Sequence, residues 1–251
     1  MFRASLASLA DGSRSDQTGS AGPVRQAQSF DIGYLYPRQP AAPARRFDEV
    51  AMTEPGVFVL ADRALNDVVA QIRPDQWDMP MPAEFQRRDS DHTPTLREIV
   101  NYHAYDDAWV PAMLAGWTME EVGHEAYSGD LLGDDPQASF AALVDTACAA
   151  AVAITDPNQT VHCSFGNYTT QEYFWQITLF RGLRAHDIAG VIGVDAALPD
   201  ALVSGLWDEL SPRAEEWRLV GIFPPAIPVP DEAPLLDRLL GLSGRKPTGG
   251  T

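Results

Sequence analysis

The sequence predicts an all-α protein in which four principal helices form a bundle, with long crossover loops and helical additions at the C-terminal end. Three observations support this prediction. Apolar residues recur at helical spacing in four segments of similar length. Capping boxes, in which a hydroxyl and a carboxylate pair with the exposed amides of a helix start, begin two of these segments. The connections are long and often proline-rich, as in bundles whose consecutive helices are not all neighbours.

The first two helices are predicted on either side of a proline-rich loop. The first runs from about 55 to 73, because its apolar residues fall on one helical face. The second runs from about 95 to 115 and begins with the capping box Thr95–Glu98. Pro111 lies inside it and predicts an end or a kink, since proline has no amide to donate.

An acidic loop over 116–135 leads to the third helix, which is predicted from Asp135-Pro136 to about Ile154. A short extended stretch over 160–165 follows. The fourth helix begins with the capping box Thr169–Glu172 and continues to about residue 190.

The chain divides into three parts of different character. Residues 1–51 are rich in Ser, Ala, Arg, Gln and Pro and lack helical periodicity, so we interpret them as a disordered tail or an over-extended start. Residues 52–195 hold the four-helix bundle. Residues 196–251 are expected to form a helical extension and a Pro/Gly-rich tail packed on the bundle. A helix opens there after Leu198-Pro199, is interrupted at Ser211-Pro212, and is followed by a short segment over 235–240.

Composition limits the partners. The 18 Lys and Arg residues against 35 Asp and Glu give a net charge of −17, which argues against nucleic acid or an anionic membrane as the main partner. No apolar run approaches the roughly 20 residues that span a bilayer. We therefore expect a cytoplasmic protein. Its two cysteines form neither a disulfide framework nor a CxxC metal motif.

The densest cluster of chemically active side chains lies in the second helix. His103 and Asp107 are four residues apart and share a face, as do Tyr102 and Asp106. A histidine and a carboxylate at this spacing can share a divalent metal ion or act as an acid/base pair. The alternative is an ordinary surface pair that stabilises the helix slightly.

A second cluster lies in the fourth helix and contains Arg181, Arg184, His186 and Asp187. The arginines either neutralise the surplus carboxylates of the chain or hold a ligand carboxylate by paired hydrogen bonds. His162 precedes this helix, at a position where bundles often place residues that face a ligand.

Two stretches resemble the DinB-like superfamily, and most closely the N-terminal, metal-binding domain of mycothiol-dependent maleylpyruvate isomerases and their actinobacterial relatives. Thr95-Leu-Arg-Glu-Ile-Val-Asn-Tyr-His103 is similar to the family's "(T)VRDLLAH" helix. Phe180-Arg-Gly-Leu-Arg-Ala-His-Asp-Ile-Ala189 is similar to its "ELVVHTWDLA" helix ending. The resemblance covers roughly residues 55–192 and implies the four-helix bundle.

The resemblance implies a divalent metal held by a histidine of helix two and by an acid or histidine plus a histidine of helix four. An ungapped match places these ligands on Tyr102, Phe180 and Arg184, which are not ordinary ligands in this setting. One hypothesis is a rebuilt zinc, nickel or iron site formed by His103, Asp107 and His186. The other is a lost site, in which Arg184 pairs with Asp106 and its guanidinium replaces the metal charge. Arg184→Met would then destabilise the protein.

Two functions remain open. The resemblance implies a thiol-dependent transferase or isomerase that uses mycothiol on an electrophilic substrate, with or without the metal. Its predicted catalytic residues are His103, Asp106 and Arg184, and its predicted substrate-binding residues are Tyr102, His162 and Arg181. Cys148 and Cys163 are bystanders in this interpretation. The alternative is a metal-free protein that binds a small molecule or a partner without chemistry. A homodimer with Trp109, Trp117 and Trp217 at its interface is an open alternative to their packing in the core.

Overall fold

The structure, a computed structural model, describes residues 53–85, 91–164, 166–219 and 221–247. Within these ranges the chain is mostly helical, with eight α-helices and one two-stranded sheet. The predicted all-α class is therefore confirmed for the described part of the chain. The tail predicted over 1–51 lies outside the described residues.

The elements follow one another in chain order with four long helices among them. The helices are α1 Glu54–Val69, α2 Leu96–Leu114, α3 Met119–Val122, α4 Pro136–Val152, α5 Thr170–Ile192, α6 Asp200–Leu210, α7 Ala214–Leu219 and α8 Leu235–Leu242. The strands are β1 Thr160–Cys163 and β2 Gly166–Thr169.

Both predicted capping boxes form. The Thr95 hydroxyl accepts from the Glu98 amide at 3.2 Å, and the Glu98 carboxylate accepts from the Thr95 amide at 2.7 Å. Thr169 and Glu172 make the same reciprocal pair at the start of α5. These bonds satisfy amides that a helix start otherwise leaves without partners. They fix the starts of α2 and α5, the helices that carry the candidate site residues.

The structure differs from the sequence prediction at three places in the chain, and it answers whether Pro111 ends α2. The first helix ends at Val69 rather than near 73, because Gln137 of α4 donates to the carbonyls of Ala70 and Ile72 at 2.9 Å each. The predicted acidic loop contains the single-turn helix α3. The predicted extended stretch is the first half of an antiparallel hairpin in which Cys163 pairs with Gly166. Pro111 does not end α2, which continues to Leu114.

The four long helices form two parallel pairs that run in opposite directions. Gln171, at the start of α5, donates to Glu54 at the start of α1 at 2.6 Å, so these two helices run parallel. Arg97, at the start of α2, donates at 2.6 Å to the carbonyl of Gly133, just before α4, so α2 and α4 also run parallel. The two pairs are antiparallel to each other, since the start of α4 lies at the end of α1.

The hydrophobic core lies between these helices, and α1 lies at its centre. The most extensive helix contacts are those of α1 with α5 and α4, and of α2 with α4, whereas few residues of α2 and α5 come close to each other. Fully buried side chains come from all four helices: Phe58, Leu65, Val68, Leu96, Val100, Phe140, Val144, Leu179 and Ile188. The wider separation of α2 and α5 leaves room for long polar side chains between them.

The C-terminal helices pack onto one side of this core. α6 contacts α1 and α5, and α8 contacts α6. Arg245, just after α8, makes a two-pronged ion pair with Asp187 of α5, with N–O distances of 2.7 and 2.9 Å. This pair joins the last described segment to the candidate site helix.

The three tryptophans predicted for a subunit interface have different environments. Trp109 is buried and lies edge-on to Tyr127, with ring centroids 4.9 Å apart. Trp217 stacks on Phe223 at 5.6 Å. Trp117 is 56% exposed. Packing within the chain therefore accounts for Trp109 and for the stacked face of Trp217.

Candidate functional site

The centre of the candidate site is a buried charge cluster formed by Asp62, Asp107 and Arg181. These residues come from α1, α2 and α5 and are at most 1% exposed. The Arg181 Nε lies 3.0 Å from Asp62 Oδ1 and 3.0 Å from Asp107 Oδ1. A second guanidinium nitrogen of Arg181 also bonds to Asp107. One arginine therefore binds carboxylates from two other helices.

Further contacts fix the position of this guanidinium. Its Nη1 donates to the Ile177 carbonyl, one turn back on α5, at 3.1 Å. Its carbon lies 5.1 Å from the centre of the Phe58 ring. On the far side of Asp62, the Cys148 thiol of α4 lies 3.8 Å from the second carboxylate oxygen. All four long helices thus contribute to one cluster.

Burial dominates the electrostatics of the cluster. It raises the pKa of Asp62 well above its usual value, and the nearby Asp107 charge raises it further, while Arg181 lowers it. The pKa of Asp107 is raised by burial and lowered by Arg181, with a net increase. Burial lowers the pKa of Arg181, but the surrounding carboxylates outweigh this and raise it overall. We infer that Arg181 stays charged and that a proton is retained most readily on Asp62.

His103 lies one turn before Asp107 on α2 and is 3% exposed. Its Nδ1 is buried and has no hydrogen-bond partner among the described residues. Burial, with the charges of Arg184 and Arg181, lowers its pKa well below the usual value. His103 is therefore neutral near pH 7, with one unpaired ring nitrogen that is able to donate or accept.

Asp106 has a pKa close to physiological pH. Burial raises its pKa to about 7, with Asp107 raising it and Arg181 opposing the increase. Tyr102, one turn earlier, has a pKa raised well above the usual value by burial, and its ring lies edge-on to His103 at 5.6 Å. Asp106 can therefore exchange a proton near neutral pH, whereas Tyr102 remains protonated.

Arg184 lies one turn after Arg181 on α5 but has a weaker set of partners. Its guanidinium lies over the Phe85 ring at 4.6 Å and 3.8 Å from Asp187, whose two oxygens already accept from Arg245. Its Nε is buried and has no partner among the described residues. Burial lowers its pKa below the usual value for arginine.

The predicted pair of Arg184 with Asp106 is therefore not the one that the structure forms. The buried pair forms between the neighbouring residues Arg181 and Asp107, and Asp62 joins it. An offset of three residues on α5 keeps roughly the same helix face, but it moves the guanidinium about 4.5 Å along the axis, to the level of the α1 carboxylate.

The rebuilt metal site is not assembled either. His103 and Asp107 are neighbours, but His186 lies five residues after Arg181 on α5, a rotation of roughly 140° about the helix axis. His186 lines a separate cleft. Among the described residues, no group of three or more His, Cys, Asp and Glu side chains is placed to hold a metal ion. Asp107 is also bonded to a guanidinium, so these residues do not fit the implied metal.

His162 and Cys163 lie outside the charge cluster, whereas Cys148 borders it at Asp62. His162, on β1, has its Nδ1 2.8 Å from the side-chain oxygen of Asn167 on β2. Burial raises the pKa of the thiols of Cys148 and Cys163 to about 12 each. Both thiols are therefore protonated and weakly nucleophilic at neutral pH.

Asp62 was not among the residues predicted from the sequence. It lies four residues after Phe58 and three before Leu65, and so falls on the face of α1 that was predicted to be apolar. A lone carboxylate on such a face indicates a buried cation nearby, since an unpaired buried charge is costly. That signal was available in the sequence, and Arg181 is the cation.

Comparison with known proteins adds no relative: no family model, curated protein or solved structure matches this chain. Within the described residues, no helix has both the length and the apolar character needed to span a membrane.

Proposed function

We propose that the protein is a metal-free, DinB-like four-helix bundle that binds a small molecule bearing a carboxylate between α2 and α5. One observation carries this proposal: the two arginines one turn apart on α5 are neutralised to different degrees. Arg181 is bonded to two buried carboxylates. Arg184 has a buried Nε without a partner in the described part of the chain. His103 has a buried Nδ1 that likewise lacks a partner there.

Arg181 takes the electrostatic role of the metal ion in this proposal. The carboxylates of Asp62 and Asp107 point into a space from which water is excluded, and they need a positive charge there. The guanidinium supplies that charge and donates to both. A divalent cation added beside it would be repelled by the guanidinium, which already occupies Oδ1 of Asp107 and leaves only Oδ2 without a partner among the described residues.

Arg184 then supplies the binding charge. Its planar guanidinium is held against Phe85, which limits its rotation and leaves its N–H groups in a partly buried setting. A carboxylate is the anion whose two oxygens match two parallel N–H donors. A neutral His103 with the proton on Nδ1 offers a further donor. The ligand carboxylate would thus satisfy polar atoms that the chain leaves unpaired.

The experiment is calorimetric titration of the purified protein with succinate, and with succinamide as the uncharged analogue. We expect succinate to bind, succinamide to bind at least ten-fold more weakly, and Arg184→Met to lose succinate binding. Arg63→Met is the matched control, because Arg63 forms a surface pair with Asp145 at 2.5 Å outside the site. Equal binding of the two compounds, or binding that survives Arg184→Met, would contradict the proposal. Elemental analysis of untagged protein should find no stoichiometric zinc, nickel or iron.

The pKa of Asp106 supports a second candidate function, the thiol-dependent transferase or isomerase. A carboxylate with a pKa of about 7 is suited to accept the proton of an incoming thiol such as mycothiol. The thiolate would attack an electrophilic substrate, and neutral His103 would lie beside the reacting groups. Consumption of mycothiol in the presence of a model electrophile tests this candidate. The enzyme is favoured if Asp106→Asn lowers the activity and a chelator leaves it unchanged. If there is no turnover, the metal-free binding protein is the candidate that stands.

A further inference from the structure

A second cleft lies away from the α2–α5 site, between the end of α5, the connection to α6 and the start of α8. It has a volume of about 430 Å³. Its walls are small aliphatic groups, including Ala189, Leu198 and Leu236, and only His186 and Asp195 contribute polar side chains to its lining. The cleft therefore offers an apolar surface with two polar groups.

Both polar groups have bonding capacity left. Asp195 accepts from the Ala197 amide through one carboxylate oxygen at 2.9 Å, and its other oxygen has no hydrogen-bond partner among the described residues. The His186 imidazole has no hydrogen-bond partner within that same part of the chain and is half-buried. A ligand that donates hydrogen bonds can therefore reach an acceptor on each.

The charges around His186 are mainly negative. Asp187 on α5, Asp195 on the connection and Asp237 on α8 all raise the pKa of His186, whereas burial, the largest effect, and Arg245 lower it, with a net decrease. Arg245 is the nearby cation, and both oxygens of Asp187 already accept from it. The imidazole is thus neutral near pH 7, in a negative local field.

We propose that this cleft binds a small aliphatic ammonium ion, with its N–H groups donating to Asp195 and His186 and its alkyl chain against the aliphatic wall. A primary ammonium group has three donors, which matches two acceptors and leaves one for water. A carboxylate ligand would be repelled by the surrounding aspartates. A neutral alcohol would use the same wall but would lose the charge interaction with Asp195.

Gly190 allows the cleft to be filled without disturbing the fold. It lies on α5 and lines the cleft, and a Cβ added there meets no atom within 4 Å. Replacement of a helical glycine also improves helix propensity. Gly190→Leu should therefore fold at least as well as the natural protein while its side chain occupies the cleft, and Gly190→Ala serves as the control that improves the helix without filling it.

The test is calorimetric titration of the full chain with n-butylammonium, n-butanol and butyrate, with the site mapped by the NMR signal of the His186 ring. We expect butylammonium to bind most tightly and to shift the His186 signal, which His186→Gln identifies. Gly190→Leu should abolish binding and Gly190→Ala should retain it. Asp195→Asn keeps an acceptor for the Ala197 amide and should weaken butylammonium by about five-fold or more, because it removes a solvent-accessible charge partner.

Other outcomes overturn the proposal. If butanol binds as tightly as butylammonium and Asp195→Asn changes neither, the cleft is only an apolar depression. If butylammonium binds equally to Gly190→Leu, or leaves the His186 signal unmoved, it binds elsewhere on the acidic surface. Because this cleft is separate from the α2–α5 site, Arg184→Met should lose succinate binding and leave butylammonium binding unchanged, so the failure of one proposal can be told from the failure of the other.

Discussion

The Nε of Arg181 lies 3.0 Å from Oδ1 of Asp62, although the two residues are 119 positions apart in the chain and both are inaccessible to water. This ion pair joins α5 to α1, the two helices that share the most extensive contact among the described elements. Asp107 extends it to α2. The position of the α2–α5 site therefore depends on a cation in the interior and not on apolar packing alone.

Arg181→Met should be strongly destabilising. It would leave Asp62 and Asp107 buried without a positive partner, and loss of one member of a buried ion pair costs about 3–5 kcal/mol of unfolding free energy. The destabilisation that the sequence predicted for Arg184→Met belongs here instead, so Arg184→Met should cost only about 1 kcal/mol or less. Urea denaturation of both variants measures the difference.

A triple variant serves as the control for that prediction. Replacing the whole cluster, with Arg181→Met, Asp62→Leu and Asp107→Leu, removes all three charges of the cluster, and such replacements are often neutral or stabilising. We expect the triple variant to recover most of the stability that Arg181→Met loses. If Arg181→Met alone unfolds at the urea concentration of the natural protein, the cluster does not have the structural role described.

Local sequence signals were sufficient to predict the four long helices, although not the single-turn helix α3. The pair Thr95 and Glu98 begins α2, as predicted, because both partners of each hydrogen bond lie within four residues. The C-terminal end of α1 was predicted too late. The side chain of Gln137, 65 or more positions away in the chain, donates hydrogen bonds to the carbonyls of Ala70 and Ile72 just after the helix. Strand β2 was missed because it begins with Gly166 and Asn167, which disfavour strands, and its pairing with β1 supplies the missing stabilisation.

The candidate site was predicted only in part, for the same reason. The spacing of His103 and Asp107 correctly placed two neighbours on α2. Which arginine reaches them depends on how α5 is positioned along its axis relative to α1 and α2, and no local pattern specifies that. Arg184 was therefore predicted as the partner, whereas Arg181 forms the pair in the structure.

Both cysteine thiols should resist alkylation in the folded protein. Burial raises the pKa of Cys148 and Cys163 to about 12 each, so the reactive thiolate is scarce at pH 8. We expect iodoacetamide to modify each at least about 100-fold more slowly than in the guanidinium-unfolded chain, which serves as the control. Mass spectrometry of timed samples gives both rates. Rapid modification of Cys163 would mean that the thiol is activated, and would make it a candidate nucleophile.

Two glycines should respond oppositely to alanine. A Cβ at Gly241, on α8, would lie 2.4 Å from Val229 Cγ2 and 2.6 Å from the Ile227 carbonyl oxygen, so the segment covering α8 would have to move. We expect Gly241→Ala to destabilise the protein by about 1–3 kcal/mol. Gly190→Ala, which meets open space, should stabilise it by about 0.5–1 kcal/mol. Thermal denaturation of the two variants in parallel distinguishes overpacking from helix propensity, and equal shifts would contradict the close approach at Gly241.

Asp106→Asn should change how stability depends on pH. The folded protein holds the Asp106 proton up to a pH of about 7, whereas the unfolded chain releases it near the ordinary value of 3.8. Between these pH values the folded state binds more protons than the unfolded state. The contribution of Asp106 to the free energy of unfolding is therefore fully present below pH 4 and is lost as the pH rises to 7. Asparagine does not titrate, and the variant should therefore gain stability relative to the natural protein across this window, reaching about 4 kcal/mol above pH 7. Urea denaturation of both proteins from pH 4 to pH 8 measures the difference, with Asp145→Asn as the control on an exposed carboxylate. A constant difference across the window would show that Asp106 titrates normally, and it would remove the support for the thiol-dependent candidate.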